Sequence, residues 1–160
     1  FGETFVVPEV MVKKEGARVM GLDDPTKKMS KSAQGPNNYI ALTDSPDLAR
    51  EKIKKAVTDS GKEIIYNPQK KPALANLLTI YSQFNETPIQ EIEKKYAGLG
   101  YAEFKNGLAE VIISFLAPFQ KRYSSLKDEA VLKILQQGAQ KAQKIAGKKM
   151  EEVKNKVGLI

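Results

Sequence analysis

Apolar residues recur along this chain in two rhythms, and the change falls just after residue 40. Up to Asn38 they come in short β-branched runs, Thr4-Phe5-Val6-Val7 and Ala17-Arg18-Val19-Met20, cut apart by Pro8, Gly16, Gly21, Pro25, Gly35 and Pro36. That punctuation predicts short strands and long loops, with too little apolar area to close a core alone. The expectation is the edge or last strand of a sheet whose remainder lies outside this chain. After Tyr39-Ile40-Ala41-Leu42 the spacing turns helical. Ser45 before Pro46 reads as a cap and a first-turn proline, opening a helix to about Thr58 with Ile53, Ala56 and Val57 on one face. Pro72 opens a second helix, in which Leu74, Leu77, Leu78 and Tyr81 fall at helical spacing. Thr87-Pro88 repeats the capping signal for a third, with Ile89 and Ile92 inside and Gly98 as its stop.

A longer helix is predicted from about Tyr101, carrying Phe104, Leu108, Val111, Ile112, Phe115 and Phe119, and Pro118 should bend it or end its regular hydrogen bonding. The last helix is expected to start at Asp128 as cap and to run towards Val157, with Gly158 beyond it. Val131, Leu135, Ala139, Ala142, Ala146, Met150, Val153 and Val157 form one apolar stripe, while Lys133, Lys141, Lys144 and Lys148 lie on a different face. The fold class is therefore mainly α, with a helical bundle over residues 72–160, a linking helix and loop over 44–71, and a sheet remnant over 1–43.

Composition narrows the chemistry. Among 160 residues there is no cysteine and no histidine. The first absence removes disulfides, thiolate chemistry and most structural zinc sites, and a reducing cytoplasm is the expected home. The second removes the usual general base near neutral pH and the commonest metal ligand, so serine-protease-like and metal-hydrolase readings fall and no metal site is expected in this chain. A net charge of +7 predicts attraction to polyanions. No apolar run reaches the roughly 18 to 20 residues needed to span a bilayer, and the start lacks the basic-then-apolar pattern of a signal peptide. Because the chain begins with Phe1 and not with methionine, it is expected to be a piece cut from a larger protein.

One short segment speaks about function. Lys28-Met29-Ser30-Lys31-Ser32 follows Asp24-Pro25-Thr26-Lys27, which places the pentamer on a polar turn. Two ammonium groups three residues apart, with hydroxyls between and after them, suit a mobile loop that folds over a polyphosphate. When a carboxylate attacks the α-phosphate of ATP, negative charge accumulates on the departing pyrophosphate, and cations on a closing loop lower that barrier. Lys28 and Lys31 are the candidate catalytic residues. A solvated basic turn is the plain alternative for Lys27, Lys28 and Lys31, and Ser30 and Ser32 are equally readable as turn formers.

Gly16-Ala17-Arg18-Val19-Met20 followed by Asp24 to Ser32 resembles the signature loop of bacterial tryptophanyl-tRNA synthetases, members of the class I aminoacyl-tRNA synthetases. Ala56-Val57-Thr58-Asp59-Ser60, Asn76-Leu77-Leu78 with Ile80-Tyr81-Ser82, Tyr101 with Phe104-Lys105, and Gln120-Lys121-Arg122-Tyr123 resemble the same family in the same order. The resemblance implies the C-terminal half of an enzyme that joins tryptophan to its tRNA through tryptophanyl-adenylate. It implies that residues 1–43 are the last strand and lysine loop of a Rossmann-like catalytic domain, and that the helical region is the tRNA anticodon-binding domain. ATP is then a substrate that carries its own Mg2+, the partners are tryptophan tRNA and a missing N-terminal catalytic half, and the intact enzyme is a homodimer without a membrane association.

By the same resemblance Val19, Lys28, Met29, Ser30, Lys31 and Ser32 are ATP-binding, with Met29 on the adenine side and Val19 offering backbone contacts. Packing is the alternative for Val19 and Met29. The family usually continues with aspartate after the final serine, whereas this chain has Ala33. Lys133, Lys141, Lys144 and Lys148 are candidates for tRNA contact, against the plain reading of a solvated face. Tyr81, Tyr96, Phe104, Phe115 and Phe119 read as packing, and Asp59 with Ser60 as a loop that contacts neighbouring segments. A fragment alone should be inactive. The alternative function is a standalone, non-catalytic helical nucleic-acid-binding module derived from a synthetase.

Overall fold

A computed structural model describes residues 1–12, 16–33 and 35–159. Five helices follow one another: α1 (Pro46–Lys55), α2 (Pro72–Asn85), α3 (Ile89–Tyr96), α4 (Gly100–Ser125) and α5 (Asp128–Val157). Among the described residues no strand forms, and the expected runs at residues 4–7 and 17–20 leave a single antiparallel bridge, between Met20 and Lys28. The mainly α class is as expected; the strand is not found among the described residues, because the pairing at Met20 is a single bridge that does not extend into a ladder.

Helix ends follow local chemistry in most places. The Ser45 hydroxyl accepts from the Leu48 amide, 3.2 Å away, and Pro46 occupies the first turn of α1. Gly158 closes α5 in the left-handed region at φ 77°. Two expectations fail. Thr87 does not cap α3; its hydroxyl accepts from Asn85 Nδ2 at 2.7 Å and donates to the Asn85 carbonyl at 3.1 Å. Asp128 is the first residue of α5, with Lys127 at the cap position. Of the two outcomes expected at Pro118, an end to the helix does not occur: α4 runs through it to Ser125, with Phe104, Leu108, Ala109, Ile112 and Leu116 buried along it.

The described chain forms two compact units, residues 12–121 and residues 1–11 with 122–160. The first holds the core. Helix α2 is its centre, with Leu74, Leu77, Leu78 and Tyr81 all buried against Ala49 and Ile53 of α1, Ile92 and Tyr96 of α3, and Phe104, Leu108 and Ile112 of α4. Leu22 and Ile64 join the same core from outside the helices. Tyr81 and Phe104 stack at 6.1 Å between centroids, and Tyr96 meets both edge-on.

A buried ion pair orders the segment that enters α1. Lys52 Nζ lies 2.6 Å from Asp44 Oδ2, which also accepts the Ala41 amide at 2.9 Å, while Gln120 Nε2 of α4 donates to the carbonyls of Leu42 and Asp44. The full set of partners offsets the cost of dehydrating both charges.

In the second unit, α5 is amphipathic as expected but contributes no buried residue, and Leu135 of its apolar stripe is 62% exposed. Residues 1–11 lie along it without regular structure. Lys149 Nζ donates to the Thr4 carbonyl at 3.0 Å and Lys156 Nζ to the Thr4 hydroxyl at 3.1 Å, with Glu152 accepting from both lysines. No helix among the described residues is long and apolar enough to cross a membrane.

Candidate functional site

The lysine pentamer sits on a short antiparallel ribbon closed by a β-turn. Asp24 to Lys27 makes the turn, with Pro25 at its second position and the Lys27 amide donating to the Asp24 carbonyl at 3.2 Å. Asp24 Oδ1 accepts the Thr26 amide at 3.0 Å and the Thr26 hydroxyl at 2.5 Å, and Lys27 Nζ lies 3.2 Å from Asp24 Oδ2. The bonds from Thr26, then Lys27, hold the Asp24 carboxyl below its ordinary value. Two rungs follow: Gly21 N to Lys27 O at 2.9 Å and Met29 N to Val19 O at 3.0 Å.

Met20 and Lys28 therefore form the pair without mutual hydrogen bonds, so the amide and carbonyl of Met20 point away from the ribbon. Both are taken by one side chain. Asn76 of α2 accepts the Met20 amide on Oδ1 and donates Nδ2 to the Met20 carbonyl, each at 2.9 Å. A carboxamide presents the same donor and acceptor as a peptide group, and Asn76 stands where a neighbouring strand would stand.

A second asparagine holds the outgoing limb. Asn38, 4% exposed, accepts the Ser30 amide on Oδ1 at 2.8 Å and donates Nδ2 to Asp23 Oδ1 at 2.6 Å, and its carbonyl accepts the Leu22 amide at 3.0 Å. Gly21 is required here, because a Cβ on it would come within 2.2 Å of Asn38 Nδ2. A third anchor reaches the helices: Val57 N donates to Leu22 O at 2.8 Å, and Lys105 Nζ of α4 donates to the Ala56 and Lys54 carbonyls at 2.7 and 3.2 Å. Burial pushes the Lys105 ammonium below its ordinary value.

The candidate residues divide by what they touch. Lys28 and Lys31 are exposed, and among the described residues neither has an ion-pair partner, whereas Lys27 is held by Asp24. The two free ammonium groups are the ones available to an anion. Ser30 and Ser32 spend their hydroxyls on each other at 2.9 Å, and the Ser32 amide donates to Ser30 Oγ at 3.2 Å, so phosphate contact requires these bonds to be exchanged. Val19 and Met29 pack against the core and line an apolar cavity of about 250 Å3 with Ile40, Leu42, Phe84 and Leu116. Lys133, Lys141, Lys144 and Lys148 are all exposed on α5, within an arc of roughly 80° at 100° per residue.

Asn38 is missed by the sequence reading, while Asn76 and Lys105 enter it only inside segments that carry the resemblance, with no role assigned. Asn76 had a further signal, a poor helix former inside an otherwise apolar helix. The Ala56 to Ser60 block does contact neighbouring segments. Asp59 Oδ1 accepts the Tyr101 hydroxyl at 2.6 Å and the Gly61 amide at 2.7 Å, with Lys71 Nζ 3.5 Å away. Burial opposes ionisation of Asp59, but those three donors outweigh it and keep the carboxyl below its ordinary 3.8.

Residues 1–117 match the family described as tRNA synthetases class I (W and Y). Tryptophan–tRNA ligase of Caldanaerobacter subterraneus subsp. tengcongensis is 51% identical over 160 residues, covering 100% of this chain and 49% of the relative. The ligase of Bacillus subtilis is 46% identical over 160 residues, covering 99% and 48%. In three dimensions the chain resembles tryptophanyl-tRNA synthetase from Mycoplasma pneumoniae, with a TM-score of 0.78, 31% identity and coverage of 91% of this chain and 45% of that one. It also resembles the Campylobacter jejuni enzyme complexed with ADP and tryptophan, with a TM-score of 0.68, 34% identity and coverage of 98% and 48%. The chain spans about half the length of these relatives.

Proposed function

Because the chain belongs to the class I tRNA synthetases of the tryptophan and tyrosine type, we propose that it serves as the C-terminal half of a tryptophan–tRNA ligase. In this reading the complete enzyme activates tryptophan with ATP to tryptophanyl-adenylate and pyrophosphate, then transfers the tryptophanyl group to its tRNA. The observation that carries it is the pair of exposed lysines, Lys28 and Lys31, without an ion-pair partner among the described residues, on a ribbon whose incoming limb is held at Met20 by Asn76 and whose outgoing limb is held at Ser30 by Asn38. As the α-phosphate is attacked, charge gathers on the leaving pyrophosphate, and the two ammonium groups close over it. Their effect is larger in the transition state than on bound ATP, because the charge develops only as the bond to pyrophosphate breaks.

Mg2+ would arrive with the ATP substrate and would offset part of the charge on its polyphosphate. Met29 and Val19 support the nucleotide from the apolar side, and the Ser30 and Ser32 hydroxyls turn towards phosphate when the loop closes. The exposed lysines of α5 take the tRNA backbone, residues 72–160 forming the anticodon-binding domain and residues 1–43 the end of the catalytic one. The working enzyme is a cytoplasmic homodimer in which an N-terminal half supplies the tryptophan pocket and the rest of the nucleotide site.

Mixing tests this directly. A complementary N-terminal half is expected to restore tryptophan-dependent ATP–pyrophosphate exchange, while this chain alone gives none. No exchange in the mixture, with tRNA binding retained, would instead leave a non-catalytic nucleic-acid-binding module.

A further inference from the structure

Resting on the ligase reading, we propose that Asn38 is the positioning residue of the lysine loop, acting on catalysis through the backbone of Ser30. Its carboxamide is not free to choose an orientation. Asp23 offers only acceptors, so the Asn38 amino group must face Asp23 Oδ1, 2.6 Å away, and the amide oxygen must face the Ser30 N–H, 2.8 Å away. A flipped carboxamide would set the buried Asn38 oxygen, 4% exposed as a residue, against the Asp23 carboxylate and its amino group against the Ser30 N–H, losing both bonds.

This chain of bonds fixes Lys31. The Ser30 N–H lies in the peptide plane shared with Met29, so the bond fixes the backbone one residue before Lys31, and the rest of the Asn38 residue is tied down independently, its carbonyl by Leu22 N at 3.0 Å and its amide by Gly35 O at 3.4 Å. Without the side-chain bond, the hydrogen bonds left to Ser30 among the described residues are a turn with Ala33 at 3.3 Å and hydroxyl contacts to Ser32, all within the loop itself. Among the described residues, Asn38 thus supplies the hydrogen bond that refers the pentamer's second half to the core. Displacing a charge by about 1 Å from its productive place costs on the order of a hundredfold in rate, and in the ligase reading the loss falls on the chemical step, because the N-terminal half supplies the tryptophan pocket.

Three variants in the complemented enzyme test the assignment. Asn38→Ala is expected to lower kcat for pyrophosphate exchange at least tenfold while leaving KM for tryptophan within twofold. Asn38→Asp places two carboxylates in contact and should lose at least as much. The exchange Asp23→Asn with Asn38→Asp keeps the acceptor for Ser30 N–H, reverses the bond to residue 23 and preserves net charge; it is expected to recover most of the kcat lost in Asn38→Asp. In this chain by itself, Asn38→Ala should speed hydrogen exchange at the Ser30 amide at least tenfold without changing that of Leu78. Wild-type kcat in Asn38→Ala, a paired exchange no better than Asn38→Asp, or an unaltered Ser30 amide would each overturn the assignment. An inactive unsubstituted mixture would overturn the ligase reading instead, a different result from an active mixture indifferent to Asn38.

Discussion

At the scale of single residues, the site separates charges that are spent from charges that are available. Lys27 is neutralised by Asp24 and Lys71 by Asp59, whereas Lys28 and Lys31 have no such partner among the described residues. Lys31→Ala in the complemented enzyme is expected to lower adenylate formation by about 3 kcal/mol, roughly a hundredfold, with tryptophan affinity nearly unchanged. Equal losses in both, measured by exchange kinetics and equilibrium binding, would contradict a role on the leaving group. Asp59 gives a prediction about stability. Its folded carboxyl lies below the ordinary 3.8, so its contribution is fully present above that pH and is lost as the pH falls through the lowered value. The denaturation midpoint of Asp59→Asn should therefore lie below wild type at pH 7, and the gap should narrow on acidification below 3.8.

At the scale of elements, close packing decides what composition leaves open. Helices α3 and α4 approach so nearly that a Cβ on Gly107 would sit 1.8 Å from the Tyr96 hydroxyl and 2.7 Å from its Cζ. Gly107→Ala is expected to destabilise by about 1–3 kcal/mol, with Tyr96→Phe recovering part of it in the double variant, as read from urea midpoints. Local signals served well where the cause was local. Ser45-Pro46, Pro72 and Gly158 mark helix ends because a cap or a ring acts on its own neighbours. Thr87 missed its helix because its hydroxyl is taken up by Asn85, accepting from Nδ2 and donating to the carbonyl, and the strand at residues 17–20 failed because its pairing stops at the one bridge from Met20 to Lys28. The lysines of the loop could be found from spacing. Asn38 and Asn76 could not, since an asparagine's role depends on what stands opposite, 56 residues away in the case of Met20 and Asn76.

At the scale of the whole molecule, the proposed reading gives the chain two kinds of surface for one kind of ligand. In that reading the exposed Lys28 and Lys31 of the loop meet a compact polyphosphate, and the exposed lysines of α5 meet an extended one. If Lys133, Lys141, Lys144 and Lys148 neutralise tRNA phosphates, replacing them with alanine should make the slope of log affinity against log salt shallower by about one for each lysine so engaged. The same change should leave pyrophosphate exchange untouched, because that half-reaction uses no tRNA. The anchoring of Met20 by Asn76 also has a consequence in time. The loop emerges from the ribosome well before the residue that holds it: at roughly 5–20 residues per second, the 56 intervening positions take about 3 to 11 s to translate. A nascent chain therefore passes through an interval in which Met20 and the loop are already made and the side chain that takes both backbone groups of Met20 is not.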